Sequence, residues 1–173
     1  MVQVRDASAA DAEACAAIYA PYVTGTSITF ELDPPTAAEM AERITKAAAT
    51  HAWLVLEDDG QVVGYAYGGP VKPRPAYRWS CEVSVYVNPT HHRTGAGRTL
   101  YDALFERLIA RGYRTAIAGV TLPNAASEAL HKSLGFEPIG VYRNIGWKHG
   151  AWHDVAWSQR TLSELPDPPE EPR

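Results

Sequence analysis

Three groups of residues have the types and spacing for chemistry. The first is His91-His92-Arg93-Thr94-Gly95-Ala96-Gly97-Arg98, between a segment ending at Asn88-Pro89 and an apolar-periodic one beginning near Gly95. A helix starting there would expose unpaired N–H groups and the positive end of its dipole, a setting suited to an anion. The glycines let a phosphate approach the backbone, and Arg93 and Arg98 add charge. A glycine-rich turn with nothing bound has the same residues, so this motif alone does not decide. It lacks the Gly-Lys-Ser/Thr of a P-loop, and Leu100 stands where a dinucleotide motif has its third glycine.

The second group is Glu82, Ser84 and Tyr86, alternate residues of a segment whose Val83, Val85 and Val87 face the other way. A carboxylate at the edge of a partly desolvated cleft is a stronger base than one in water. Just before it, Lys72, Arg74, Tyr77 and Arg78 form a cationic group able to bind a second acidic function, since arginine pairs with carboxylate or phosphinate bidentately. The third group is Asn124, Ser127 and His131, on one helical face at i, i+3, i+7. An imidazole there can exchange a proton near neutrality. Each residue also has a plain structural reading, as an exposed strand-end glutamate, a solvated charge or a surface histidine.

Alternating elements must position these groups. Val2 and Val4 read as a short strand, and Ala9 to about Val23 as a helix. Thr36 caps a second helix near Ala37–Ala49. Trp53–Leu56 and Val62–Tyr67 read as strands joined at Asp58-Asp59-Gly60. Gly68–Arg78 is irregular, because Pro70, Pro73 and Pro75 exclude a central strand. Glu82–Val87 is a strand. A helix from about Gly95 to Ala110 follows, with Leu100, Leu104 and Leu108 on one face and Gly112 as its stop. Thr115–Leu122 is a strand and Asn124–Leu134 a helix whose Ala126, Leu130 and Leu134 are expected to pack inward. Phe136–Tyr142 and Trp152–Trp157 form two last strands around His149-Gly150. The spacing predicts one α/β domain over residues 1–162 and a disordered tail over 163–173, which holds four prolines and four acids.

These motifs resemble the GNAT superfamily of N-acetyltransferases. Ser84-Val85-Tyr86-Val87-Asn88-Pro89, the His91–Gly97 loop, Leu122-Pro123-Asn124, Leu130-His131 and Gly146-Trp147-Lys148-His149-Gly150-Ala151-Trp152-His153-Asp154-Val155 are similar to the phosphinothricin N-acetyltransferase group. The resemblance covers about Val2–Leu162. It implies a twisted mixed sheet flanked by helices, with acetyl-CoA between two splayed parallel strands. It also implies Glu82 as general base and His131 as a second catalytic group that protonates the thiolate or helps deprotonate the amine. Coenzyme contacts fall on Val85, Tyr86, Val87, Arg93, Thr94, Gly95, Ala96, Gly97, Arg98, Asn124 and Ser133, with a backbone N–H of Val85–Val87 at the oxyanion. Substrate contacts fall on Phe30, Lys72, Arg74, Tyr77 and Tyr86. His92 departs from the usual glutamine or arginine of the coenzyme loop. The implied reaction is acetylation of the α-amine of an amino-acid analogue such as phosphinothricin or methionine sulfoximine or sulfone. Detoxifying (antibiotic or herbicide resistance) and housekeeping members share these motifs. The group is commonly homodimeric, and Trp147, Trp152 and Trp157 are expected in the core or at the seam.

Two other functions compete. Acetylation of a protein N-terminus needs an open groove, and of a polyamine conflicts with Lys72 and Arg74. A catalytically silent acetyl-CoA-binding regulator would not need Glu82 and His131. No metal is expected: His149 and His153 are four apart, but Gly150 and the strand break helical geometry. Cys81 reads as a packed residue, since direct transfer needs no acyl-enzyme.

Composition narrows the rest. The 173 residues, 46% apolar and 21% charged, suit one globular domain. The net charge of −4 argues against a nucleic-acid partner or an anionic membrane surface. The longest apolar stretch, Ala52–Leu56, is far too short to span a bilayer. With no signal-peptide pattern and two cysteines, a cytoplasmic setting is expected. The tail carries four acids and one base, which leaves the body at −1 with 15 basic and 16 acidic residues. Lys72/Arg74/Arg78 and Arg93/Arg98 are its two candidate anion sites.

Overall fold

A computed structural model describes all residues, Met1–Arg173. Its strands are β1 (Val2–Asp6), β2 (Ala52–Asp58), β3 (Gln61–Pro70), β4 (Ser80–Val87), β5 (Thr115–Thr121), β6 (Glu137–Lys148) and β7 (Ala151–Thr161). Its helices are α1 (Ala12–Gly25), α2 (Ala37–Thr50), α3 (Ala96–Arg111) and α4 (Ala125–Ser133). The strands form one sheet in the order β1-β2-β3-β4-β5-β7-β6. All neighbours are antiparallel except β4 and β5.

Each sheet face carries its own core. Strand alternation sends Leu54, Ala66, Val83 and Ala116 against Leu100, Leu104 and Leu108 of α3, the stripe expected from their spacing. The opposite face sends Trp53, Val55 and Tyr65 against α1 and α2. Thr36 and Glu39 close a capping box on α2, and Gly112 ends α3 in the left-handed conformation.

Four local expectations are corrected. The first helix begins at Ala12, because a Ser8–Asp11 capping box closes a separate 3-10 turn over Ala9–Asp11. The segment read as irregular from Gly68 begins as strand: β3 runs to Pro70, paired with Cys81, where the strand ends and no further N–H donor is needed. The inward face of α4 includes His131 and Leu134, with Ala126 left exposed. Leu130 and Leu134 pack inward as expected, and only Ala126 gives way to the hydrogen-bonded imidazole. Finally, β6 continues past Tyr142 to Lys148 across a register shift, and Asn144 N–H there donates to Asp154 Oδ1 at 2.7 Å. Trp147 and Trp152 lie outside the core of the chain, edge to face at 5.3 Å. The 163–173 segment has no helix or strand, and it lies against the body: Trp79 Nε1 donates to Glu170 O at 2.7 Å and Arg173 N to Arg111 O at 2.8 Å.

Candidate active site

The single parallel pair creates the site. β4 and β5 are hydrogen-bonded only over Ser80–Glu82 and Thr115–Ile117. Beyond this they part, so Val83–Tyr86 and Gly119–Thr121 line the two sides of a cleft completed by Ile28, Tyr101, Asn124, Ser127 and His131. The cleft-facing edge of β4 has no strand partner there, and its backbone groups are open to a ligand. The chemistry-bearing residues lie around this gap.

At its α3 end, Gly95 is the helix cap with φ +84° and no side-chain cap on the first N–H groups. An anion can take the place of that cap. Gly97 lets α3 approach α4, since a Cβ there would lie 3.1 Å from Leu130 Cδ2. Arg98 reaches across to Ser133, donating to its carbonyl and hydroxyl oxygens at 3.0 Å each. Arg93 and Thr94 are exposed on the loop. His92 turns inward: its Nε2 lies 2.9 Å from Tyr22 Oη and 3.2 Å from Val87 O. It therefore ties the loop to α1 and to the end of β4. Asn124 Oδ1 accepts from Ser127 N at 3.1 Å and caps α4.

Glu82 occupies the last paired position of β4, where the gap opens. It is half-buried and has no hydrogen-bond or ion-pair partner in the protein, and burial alone raises its pKa above 4.5. It lines a cavity with Lys72, Val71, Ile117, Val141 and Trp157. Gly119 makes room for Trp157, whose indole would lie 3.0 Å from a Cβ there.

His131 lies on the other face of the sheet and is 5% exposed. Its Nδ1 sits 2.7 Å from Ser127 O, an acceptor only, so Nδ1 carries a hydrogen. In the neutral ring Nε2 is then the acceptor, and Tyr101 O–H donates to it at 3.0 Å. Burial lowers the imidazole pKa below 6.5, so the neutral form is the resting one. His131 also lines a second cavity between α4 and the β6–β7 strands.

The structure divides the remaining predicted residues. Tyr86 lines the cleft, edge-on to Tyr19 at 4.9 Å and to Tyr22 at 5.3 Å. Lys72 shares the Glu82 cavity. Arg74 and Tyr77 stand exposed on the following turn, and Arg78 pairs with Glu171 of the tail. Phe30 lies against Gly146, outside the cleft lining. Tyr101, Thr121 and Ile28 line the cleft without having been singled out in the sequence. Tyr101 sits in the packed face of α3 beside Leu100, and periodicity gives it no signal distinct from core.

Known proteins resemble this chain in both sequence and fold. The family described as an acetyltransferase (GNAT) domain matches residues 4–157. The phosphinothricin N-acetyltransferase of Streptomyces viridochromogenes is 41% identical over 168 residues, 97% of this chain and 91% of its own. The L-methionine sulfoximine/L-methionine sulfone acetyltransferase of Pseudomonas aeruginosa is 36% identical, over 92% of this chain and 94% of its own. Among solved structures, a GNAT superfamily phosphinothricin acetyltransferase from Sinorhizobium meliloti in complex with AcCoA superposes with a TM-score of 0.92. Its identity is 37%, over 99% of this chain and 93% of that one.

Proposed function

The chain belongs to the GNAT acetyltransferase family, and from that premise we propose that it transfers the acetyl group of acetyl-CoA directly to the α-amine of a small amino-acid analogue with a second acidic or strongly polar group. Phosphinothricin and methionine sulfoximine or sulfone are the leading substrates. The observation that carries this reading is the unpartnered Glu82 carboxylate, sharing a cavity with Lys72 where β4 and β5 part.

The residues present fit acetyl-CoA. The uncapped N–H groups at Gly95–Gly97, with Arg93, Thr94 and Arg98 beside them, suit its pyrophosphate. The free edge of β4 at Val85–Val87 suits the pantetheine arm, and Asn124 and Ser133 flank it on α4. When bound, acetyl-CoA supplies an activated thioester and a thiolate leaving group.

The amine arrives as an ammonium ion, and Glu82 takes its proton. The raised carboxylate pKa brings this base toward the operating pH. Lys72, Arg74 and Tyr77 receive the acidic end of the substrate, while Phe30 and Tyr86 bound its apolar part. A backbone N–H of Val85–Val87 faces the developing oxyanion. On the far face, Tyr101 and His131 supply the sulfur with its proton. His131 is neutral at rest, so it hands on only a proton it has received.

Acetylation removes the ammonium charge by which an amino-acid analogue is recognised, which suits a detoxifying role. The buried, unpaired Cys15 and Cys81 support a cytoplasmic setting. The edge strand β6 leaves Ile139, Val141, Tyr142, Ile145 and Trp147 exposed, which supports a homodimer joined through this hairpin.

The test is thiol release from acetyl-CoA over a panel of phosphinothricin, methionine sulfone, a polyamine and peptides with free N-termini. Saturable turnover of the first two is expected. Turnover of peptides alone would remove this reading, and no turnover with binding retained would favour a silent regulator.

A further inference from the structure

The segment Gly146–His153, around the β6–β7 turn, takes part in no chemical step above. The structure places it against the loop between α1 and α2. Lys148 is 3% exposed, and its ammonium meets no carboxylate. It donates to Thr29 O and Glu31 O, at 2.8 Å each. Beside it, His153 Nε2 lies 3.1 Å from Ser27 Oγ and 2.8 Å from Lys148 O. Gly146 pairs with His153, and a Cβ on it would overlap the Phe30 ring.

A buried ammonium is costly unless its hydrogens are bonded. Two main-chain carbonyls on alternate residues accept from two of the three ammonium hydrogens of Lys148, and they fix the backbone on both sides of Phe30. The same loop is held from the sheet by Thr121 Oγ1, which donates to Ile28 O at 3.4 Å, and Ile28 and Thr121 both line the cleft. Tyr19 Oη, 2.6 Å from Thr29 Oγ1, holds it from α1. Phe30 itself makes no hydrogen bond through its side chain and is 37% exposed. Its position is set by the backbone that Lys148 grips and by the space that Gly146 leaves.

We propose that Lys148 and Gly146 are positioning residues for the acceptor site: Lys148 clamps the Thr29–Glu31 backbone and Gly146 seats the Phe30 ring, on the loop whose Ile28 lines the cleft. This rests on the reading that Phe30 bounds a small amino-acid acceptor. It assigns the hairpin a role in acceptor specificity and none in coenzyme binding.

The test compares Lys148→Met, Gly146→Ala, Phe30→Ala and the Gly146→Ala/Phe30→Ala pair. Lys148→Met is expected to raise KM for phosphinothricin at least tenfold, to leave KM for acetyl-CoA within twofold, and to speed amide exchange across residues 26–33 at least tenfold. Gly146→Ala is expected to raise the same acceptor KM at least fivefold, and to add less than twofold once Phe30 is alanine. Gly146 has an ordinary φ and its clash is with the far end of a side chain, so this variant keeps the fold even if Lys148→Met does not. Both KM values rising together would overturn the proposal. So would an unchanged acceptor KM in Gly146→Ala, or its full effect persisting without Phe30. If the unmodified enzyme acetylates no amino acid, the acceptor reading fails by itself. Amide exchange then decides the clamp, and unchanged exchange across 26–33 in Lys148→Met would overturn it.

Discussion

At the scale of single residues, burial favours the uncharged forms of Glu82 and His131. Glu82 has its pKa raised by desolvation, so its ionised form is penalised in the fold relative to the unfolded chain. Its stabilising contribution is present while protonated and is lost as pH rises through the raised folded value. Glu82→Gln is therefore expected to melt higher than the parent at pH 7.5, the difference vanishing near the unfolded glutamate pKa of about 4.3. Thermal denaturation at the two pH values checks this. Tyr101→Phe removes the hydroxyl that faces His131 Nε2 and is expected to lower kcat about tenfold with both KM values unchanged. Steady-state kinetics would read a rise in KM instead if Tyr101 only packs. The strand alternation put Glu82 on one face with Ser84 and Tyr86, and only the family resemblance suggested a role for it. The burial of His131 was not legible, because the apolar pattern Ala126/Leu130/Leu134 left it off the inward face; Leu130 and Leu134 do pack inward, and His131 joins them where Ala126 was expected. Only the hydrogen bonds to Ser127 and Tyr101 make that burial tolerable.

At the scale of elements, the sequence announced most strands and helices, and the misplacements follow from tertiary pairing. Proline signals stopped β3 early, yet its last residue can pair where the ladder ends. The parting of β4 from β5 leaves no local signal, because it depends on where two distant strands cease to share hydrogen bonds. The helices on this side depend on close approach. Gly97→Val is expected to push α3 from Leu130 of α4, raising KM for acetyl-CoA severalfold and sparing that for the acceptor. Equal changes in both would contradict a coenzyme role for this helix start. Leu104 is fully buried in the α3 stripe, and Leu104→Ala is expected to cost about 2–5 kcal/mol in chemical denaturation.

At the scale of the whole molecule, the sheet separates the two groups proposed to handle protons. Glu82 lies on one face and Tyr101–His131 on the other, with the gap between β4 and β5 between them. Spacing along the chain could name Glu82 and His131, but not Tyr101, and could not show that they approach the cleft from opposite sides. The exposed apolar row on β6 adds an outer surface that a second copy would cover. Sedimentation is expected to give about twice the 18.9 kDa chain mass, and Trp147→Glu with Trp152→Glu to halve it. A monomer before substitution would remove the seam. The central claim is that Glu82 takes the proton of the incoming amine. Its most direct test is kcat against pH with phosphinothricin, for the parent and Glu82→Gln. The parent is expected to lose rate toward acid with one-proton dependence, and the variant to fall about 10²-fold or more and lose that limb. A variant that keeps the parent's rate and acid limb would contradict it.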